Sequence, residues 1–388
     1  MTPANSPVPV PPLFLERMRN FLGAEYPAFA ESLNAAPQSG LRVNTLKLSP
    51  EEFEALSPFT LGEKVPWCPS AFTMSPEQRP GLHPYHLAGL YYMQDPSAMS
   101  PAELLAPQPG DRVLDLAAAP GGKTTHLAAL SKGSGLIVAN EIKNKRVGHL
   151  AQNVERWGAG NIVVTNESPE RLADHFGGYF DRVLVDAPCS GEGMFRKDMG
   201  ARADWSPEMV AGCAVRQKNI LHVAAKLVRP GGHLLYSTCT FAPEEDEGVI
   251  AQILDEFPDF SVERLAHFDG FLPGKPEWLT GAQSEKTALA GAVRLFPHRL
   301  NGEGHFACLL HRAGHAEETT PDKETRAGRR TEKTDLRLWR GFAAQVLGVE
   351  LDESRLKVAG ERLYYVPDTN PDFGRLRIVH GGVWLGSL

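Results

Sequence analysis

The chain has 388 residues, of which 42% are hydrophobic and 22% charged, and its formal net charge is −7. This length exceeds one typical domain, and the composition is that of a globular protein rather than a disordered or fibrous one. The absence of any run of about 20 apolar residues argues against a membrane-spanning helix. The proline-rich start, Met1–Pro12, lacks the basic-then-apolar pattern of a signal peptide. We therefore expect a cytoplasmic protein without membrane contact.

The first third of the chain predicts an accessory domain of mixed structure. Residues 1–40 predict short helices, and 41–105 predict mixed structure with many prolines. From Asp111 to Leu310 the pattern changes to strand, turn and helix, repeated. The predicted strands are Arg112–Leu116, Leu136–Asn140, Asn161–Thr165, Phe180–Val185, His233–Ser237 and His305–Leu310. Alternating strands and helices predict an α/β fold with a doubly wound, mostly parallel sheet.

Local sequence signals indicate where the predicted helices begin and end. One has Val147, Leu150, Val154 and Trp157 at helical spacing and ends at Gly158. Another begins with Ser206 as N-cap and Pro207 as first residue and runs to Val228, before Pro230-Gly231-Gly232. A third is expected over Glu244 to Phe257.

The pattern divides the chain into four parts. These are an N-terminal domain (1–105), a core (106–312), a polar linker (313–334) and a small α+β module (335–388). The module should contain a helix near Leu336–Leu347 and strands near Leu363–Val366 and Leu376–Val379.

A small-residue loop follows the first core strand, from Asp115 to Thr124. Glycines there let the backbone approach a ligand, and the following helix N-terminus favours a negatively charged group. Ala117 replaces the first glycine of a phosphate-binding loop, and the dinucleotide pattern G-x-G-x-x-G is absent. Glu141 ends the second strand, where an acid can bind ribose hydroxyls. The combination fits S-adenosylmethionine, although an ordinary turn with a surface Glu would show the same residues.

Five cysteines, few and widely spaced, argue against a disulfide framework and a zinc cluster, so no metal site is expected. Two of them follow neighbouring core strands: Cys189 in Asp186-Ala187-Pro188-Cys189 and Cys239 in Ser237-Thr238-Cys239. Ligands of doubly wound sheets bind beyond the carboxyl ends of strands, so both thiols should face one crevice with Asp186. A thiolate that adds to carbon 6 of cytosine would make carbon 5 nucleophilic. The other three cysteines, Cys68, Cys213 and Cys308, are expected to be structural.

With these strings in order, the chain resembles RNA 5-methylcytosine methyltransferases, the NOL1/NOP2/Sun family. The resemblance extends from Leu41–Thr45 and Tyr92–Met99 through Ala117–Thr124, Asp186–Lys197 and Ser237–Cys239 to the C-terminal module. It implies a Rossmann-like, class I S-adenosylmethionine-dependent methyltransferase core and a C-terminal PUA-like module, possibly incomplete.

The resemblance also implies roles for individual residues. Cys239 would be the nucleophile, Cys189 would release the product, Asp186 would bind the cytosine edge near the cofactor, and Lys123 would stand beside the reacting groups. The residues implied to hold the cofactor are Ala117, Ala118, Ala119, Pro120, Gly121, Gly122, Lys123, Glu141, Arg146 and Asp186. The family usually places an Asp against the adenine after the third strand. Here Ser168 is our prediction for that contact, with Asn166 as the rival.

The expected substrate is small-subunit ribosomal RNA, or an assembly intermediate, modified near the decoding site by a monomeric enzyme. Transfer RNA or another RNA is the alternative substrate, and a catalytically idle RNA-binding assembly factor is the alternative function. The segment from Glu192 to Arg229 contains seven Lys or Arg and four Asp or Glu. This excess of positive charge could equally be a phosphate-binding surface or a solvated helix face. The predicted RNA contacts are Arg42, Asn44, Arg196 and Lys197.

Overall fold

The computed structural model describes residues 8–265, 268–281, 286–315, 336–348 and 350–387. Most of the predicted linker, residues 316–334, lies outside these described residues. Within them the strands form a four-stranded, a ten-stranded and a three-stranded sheet. None of the described helices has the length and apolar character needed to cross a membrane.

The N-terminal segment forms a small antiparallel sheet flanked by short helices. Its elements are α1 (Pro12–Leu22), α2 (Tyr26–Ser32), β1 (Ser39–Val43), α3 (Pro50–Leu56), β2 (Lys64–Val65), β3 (Cys68–Met74), α4 (Pro84–Leu87), β4 (Tyr91–Met93) and α5 (Pro96–Leu105). The strand order is β2-β3-β1-β4. Helix α3 begins with a capping box: the Ser49 hydroxyl accepts from the Glu52 N–H, and the Glu52 carboxylate accepts from the Ser49 N–H. The short helices predicted before residue 40 are confirmed.

The central segment alternates strands and helices as predicted. Its elements are β5 (Arg112–Asp115), α6 (Gly122–Leu130), β6 (Leu136–Asn140), α7 (Asn144–Trp157), β7 (Ile162–Thr165), α8 (Pro169–Phe176), β8 (Phe180–Asp186), α9 (Met199–Asp204), α10 (Pro207–Leu227), β9 (Val228–Thr238), α11 (Glu247–Glu256), β10 (Phe260–Glu263), β11 (Phe271–Pro273), β12 (Val293–Leu295) and β13 (His305–Arg312).

The sheet is mixed rather than mostly parallel. Strands β5 to β9 are parallel and lie in the order β9-β8-β5-β6-β7. Beyond β9, strands β10 to β13 all pair antiparallel. The parallel prediction therefore holds for the central five strands. The outer strands β11 to β13 add antiparallel pairs to this parallel centre, and such pairs need no crossover helices.

Successive side chains along each central strand are buried on opposite faces of the sheet. In β6, Ile137 and Ala139 pack in one core with α6 and α7, whereas Leu136 and Val138 pack in the other with α8 and α10. Two apolar faces covered by helices define a doubly wound, Rossmann-like fold.

The helix signals were mostly correct. All four apolar residues predicted for α7 are buried, and Gly158 ends the helix in a left-handed conformation, its N–H donating to the Val154 carbonyl. The Ser206 hydroxyl caps α10 as expected. Strand β9 begins earlier than predicted: Phe180 pairs with Val228 and Arg182 with His233, so the intervening Pro-Gly-Gly stretch is a local irregularity within the strand.

The C-terminal segment forms a separate three-stranded sheet and also extends the central one. Its elements are α12 (Arg337–Val346), β14 (Leu356–Ala359), β15 (Arg362–Tyr365), β16 (Ile378–His380) and β17 (Val383–Ser387). The predicted helix and both predicted strands are present. Strands β14, β15 and β17 pair with one another, whereas β16 pairs antiparallel with β7. This pairing joins the segment to the edge of the central sheet.

Candidate active site

Two thiols meet at the carboxyl ends of β8 and β9. These strands are parallel neighbours, with Asp186 opposite Ser237, so the loops that follow them lie at the same edge. The sulfur atoms of Cys189 and Cys239 are 3.0 Å apart, and the Cys239 N–H points to the Cys189 sulfur at 3.4 Å. Both residues are partly exposed, whereas the other three cysteines are buried. The structure thus brings the two predicted thiols together in an accessible position.

The two thiols are not equivalent. The hydrogen bond to Cys239, followed by burial, raises the pKa of Cys189 well above its ordinary value, and the nearby Glu245 carboxylate adds to the effect. Cys189 is therefore held as a neutral thiol that can donate its proton to the neighbouring sulfur. The contact therefore brings a neutral thiol within hydrogen-bonding distance of a second, partly exposed cysteine sulfur.

A charged pair lies beside the thiols. Lys123 Nζ is 2.7 Å from Asp186 Oδ2, and the Ser237 hydroxyl donates to Asp186 Oδ1 at 2.9 Å. Burial opposes ionisation of both partners. Even so, Lys123 lowers the pKa of Asp186, and Asp186 raises the pKa of Lys123. Both groups are charged at neutral pH and present a fixed acceptor and a fixed donor to a ligand.

The loop between β5 and α6 forms a cavity of about 270 Å³ with the segment that follows β4. The cavity is lined by loop residues 117–120, 122 and 123, by 92–95 from the N-terminal segment, and by Asp186. A Cβ at Gly122 would lie 3.2 Å from the Tyr92 ring, and Gly121 has a φ of +111°. The left-handed backbone of Gly121 favours glycine, whereas a side chain at Gly122 would require the Tyr92 ring to move by a few tenths of an ångström. The predicted loop and Asp186 share one cavity.

The acid at the end of β6 is buried and incompletely satisfied. Glu141 Oε1 accepts the Lys143 N–H at 2.8 Å. Arg146 Nη1 lies 3.2 Å from Glu141 Oε2, yet this buried oxygen accepts no hydrogen bond from any described residue. Arg146 also donates to the Ala119 carbonyl and so connects Glu141 to the loop. A free carboxylate oxygen here suits a ligand that carries hydroxyl donors, such as ribose.

The structure separates the two candidates after β7. Ser168 caps α8, its hydroxyl accepting the Arg171 N–H at 3.4 Å. Asn166 is buried and donates to the Glu141 carbonyl at 2.6 Å. Asn166 therefore lies beside Glu141, and its amide oxygen accepts from Arg377, whereas Ser168 caps a helix. Both predicted side chains are thus hydrogen-bonded within the protein, and Asn166 is in direct contact with the loop that follows β6.

Arg42 and Asn44, predicted as RNA contacts, are fully buried and structural. Arg42 donates to the Gly122 carbonyl at 2.9 Å and to the Thr125 hydroxyl at 2.8 Å. Asn44 donates to the carbonyls of Gly89 and Trp157. These contacts tie the N-terminal sheet to α6 and α7, so neither side chain is available to a phosphate backbone.

Arg196 is also wrong as a surface contact. Its guanidinium lies 3.1 Å from both carboxylate oxygens of Glu303 and donates to the Gly302 carbonyl, with both side chains buried. Lys197 is partly exposed and pairs with Asp95 at 2.8 Å. Counting charges between Glu192 and Arg229 could not reveal these partners, because Glu303 is 107 residues away.

Arg196→Ala should therefore destabilise the fold by about 3–5 kcal/mol, since it leaves the Glu303 carboxylate buried without its main partner. Urea denaturation would measure the loss. Arg17→Ala is the matched control, because its ion pair with Glu244 is partly exposed and should contribute only about 1 kcal/mol or less. An Arg196→Ala protein of wild-type stability but with weakened RNA binding would restore Arg196 as an RNA contact.

Some site residues were not singled out from the sequence. Asp95 caps α5 and pairs with Lys197. The segment Tyr92–Met99 was part of the family resemblance, but no individual role was predicted for Asp95. His305 lies buried near Lys123 and Asp186, and burial, reinforced by the Lys123 charge, lowers its pKa to about 4. Nothing local marks His305, since it reaches the site through the antiparallel pairing of β13 with β9.

A further cluster lies behind the cavity. Cys68, Glu103 and His126 have potential ligand atoms within 4.8 Å of one another. Burial raises the pKa of Cys68 to about 12, and His126 pairs with Glu103 at 3.0 Å. The buried Arg42 charge lies close by, which disfavours a second cation, and we interpret the cluster as structural.

Comparisons with known proteins agree with this architecture. The sequence model described as 16S rRNA methyltransferase RsmB/F matches residues 102–311. Two further models match the flanking segments: the N-terminal domain of 16S rRNA methyltransferase RsmF at residues 10–96, and the RsmF first C-terminal domain at residues 341–388.

Individual relatives extend this match. A ribosomal RNA small subunit methyltransferase F from Vibrio parahaemolyticus is 33% identical and covers 96% of this chain and 79% of its own length. One from Erwinia tasmaniensis is 37% identical over 77% of this chain, which matches 63% of that relative's length. A crystal structure of a methyltransferase homolog protein from Pyrococcus horikoshii has a TM-score of 0.66 and 30% identity over 77% of this chain and 94% of its own. The chain therefore belongs to the RsmB/F family of 16S rRNA methyltransferases.

Proposed function

We propose that this chain is an RNA (cytosine-5) methyltransferase that uses S-adenosylmethionine and modifies small-subunit ribosomal RNA near the decoding site. The observation that carries the proposal is the pair of accessible thiols 3.0 Å apart beside the Lys123–Asp186 ion pair. A methyltransferase acting on a more nucleophilic atom would not need a thiol nucleophile. The printed names of the relatives support ribosomal RNA as the substrate.

The residues present fit S-adenosylmethionine, which supplies a methyl group on a positively charged sulfur. Glu141 offers a free buried oxygen to the ribose hydroxyls, and residues 117–123 offer a backbone that a ligand can approach closely. Arg146 holds Glu141 against that loop, and Asn166, fixed against the backbone of Glu141, marks the end of the site that we assign to the adenine. Asp186 lines the same cavity as the loop residues 117–120, 122 and 123.

In the proposed reaction, the Cys239 thiolate forms a bond to carbon 6 of a flipped-out cytosine, which makes carbon 5 nucleophilic. The ionised Asp186 accepts a hydrogen bond from the cytosine amino group, and Lys123 donates one to the ring edge. Once the Cys239 sulfur is bonded to carbon 6, it no longer raises the pKa of Cys189, so Cys189 can lose its thiol proton to solvent. After methylation, the resulting Cys189 thiolate accepts the carbon-5 proton. The bond between carbon 6 and Cys239 then breaks, restoring the aromatic ring and the free thiolate.

Bisulfite sequencing of RNA from cells with and without the gene tests the proposal. We expect a protected cytosine in small-subunit ribosomal RNA to be lost with the gene and restored by the wild-type chain but not by Cys239→Ala. Loss of protection only in transfer RNA would reassign the substrate. Unchanged methylation in all RNA, with a ribosome-assembly defect, would support the idle assembly factor instead.

Glu141→Ala should weaken S-adenosylmethionine binding by about 1–3 kcal/mol, the cost of leaving buried hydroxyl donors without an acceptor. Isothermal titration calorimetry would measure the change. Glu155→Ala, an exposed residue on the same helix as Arg146, is a suitable control and should bind normally. Unchanged affinity in Glu141→Ala would remove this residue from the cofactor site.

A further inference from the structure

Arg377 connects the C-terminal segment to the nucleoside end of the candidate cofactor site. It directly precedes β16, which pairs with β7 through Ile378 opposite Thr165. Its N–H donates to Glu167 Oε1 at 2.7 Å, and its carbonyl accepts the Asn166 N–H at 3.0 Å. These main-chain contacts place Arg377 against the loop after β7.

The Arg377 side chain bridges two loops. Its Nη1 atom donates to Asn144 Oδ1 at 3.0 Å, at the start of α7, and to Asn166 Oδ1 at 2.9 Å. The amide nitrogen of Asn166 in turn donates to the carbonyls of Glu141 and Ile142. A continuous chain of hydrogen bonds therefore runs from Arg377 through Asn166 to the backbone of Glu141.

The bridged loops follow the carboxyl ends of β6 and β7. In a doubly wound sheet, ligands lie in the crevice beyond the carboxyl ends of the strands, and an acid placed as Glu141 is can bind the ribose. Arg377 fixes the Asn166 amide by occupying its oxygen, so that its nitrogen faces the Glu141 loop. Without the guanidinium, the amide can rotate and lose its contacts with that loop.

We propose that the C-terminal segment completes the nucleoside end of the cofactor pocket, with Arg377 as a positioning residue that acts through Asn166. This deepens the proposed function and rests on it, because the ligand is the adenosine part of S-adenosylmethionine. In this proposal, the core and the C-terminal segment both contribute residues to one binding site.

Titration calorimetry with the full chain tests the proposal. The ligands are S-adenosylmethionine and methylthioadenosine, which keeps the nucleoside but lacks the amino-acid group. Arg377→Ala should weaken both by a similar factor, on the order of tenfold, as expected when a charged hydrogen bond that organises a site is lost. Arg375→Ala is the matched control, because Arg375 is an exposed residue of the same segment whose main-chain carbonyl accepts a hydrogen bond from Arg171.

Arg377→Ala should retain the fold, because the contacts that place this residue against β7 are made by its main chain. Thermal unfolding without ligand checks this point. The double variant with Asn166→Ala should bind no more weakly than the weaker single variant, because both residues act in one chain of contacts. Additive losses, or wild-type affinity in Arg377→Ala, would overturn the inference while leaving the proposed function intact. If the wild-type chain bound neither ligand, the proposed function itself would fail.

Discussion

Cys239→Ala is expected to abolish methylation, with a loss of at least about a thousandfold, while S-adenosylmethionine affinity stays near that of the wild type. The physical reason is that cytosine carbon 5 is a poor nucleophile until a thiolate has added to carbon 6. Alanine removes the sulfur that we propose forms this bond and leaves the Lys123–Asp186 pair and the cavity lining unchanged. Transfer of a radioactive methyl group to unmodified 30S subunits or their RNA would measure the effect.

Cys308→Ala is the matched control for this substitution. Cys308 is fully buried in β13, where burial raises the pKa of its thiol far above the usual range, so it cannot take part in the reaction. Its loss should leave methylation nearly unchanged. Normal turnover by Cys239→Ala would show that carbon 5 is not activated through this thiol and would remove the covalent step from the proposal.

Cys189→Ala is expected to trap a protein–RNA adduct that survives denaturing gel electrophoresis. Cys239 can still attack carbon 6 in this variant, but the neighbouring thiol 3.0 Å away is no longer present to help remove the carbon-5 proton. The bond to carbon 6 can break productively only after that proton has left. The adduct should therefore accumulate to about one RNA per protein, whereas the wild type turns over.

The double variant Cys189→Ala with Cys239→Ala supplies the control, because it should give no adduct. If the slow-migrating adduct band forms only when S-adenosylmethionine is present, the trapped step follows methyl transfer. The opposite pattern, with an adduct from Cys239→Ala and turnover by Cys189→Ala, would exchange the roles of the two cysteines.

The candidate site draws on all three parts of the molecule. The segment after β4 lines the cavity, the central sheet supplies both thiols and the ion pair, and the C-terminal segment reaches the loop after β7 through Arg377. Buried side chains such as Arg42 connect the N-terminal segment to the central one through hydrogen bonds. We therefore expect mutations at such contacts to affect stability and cofactor binding together.

The sequence by itself determined the chemistry-bearing positions of the site. Strand ends and helix starts are set by local signals, such as the apolar run before Asp186 or the serine and proline that begin α10. Parallel strands that alternate with helices place their carboxyl ends at one edge, so Cys189, Cys239 and the loop after β5 could be predicted to meet.

Only the tertiary structure decided which charges are exposed and which distant segments complete the site. Arg196 forms an ion pair with Glu303, and Asn166 accepts a hydrogen bond from Arg377. His305 is brought to the site by the antiparallel pairing of β13 with β9. Each of these pairings joins residues far apart in the chain, and burial depends on what packs against a residue rather than on its neighbours in sequence. For this reason local charge counts predicted an RNA surface where the folded chain has a buried ion pair.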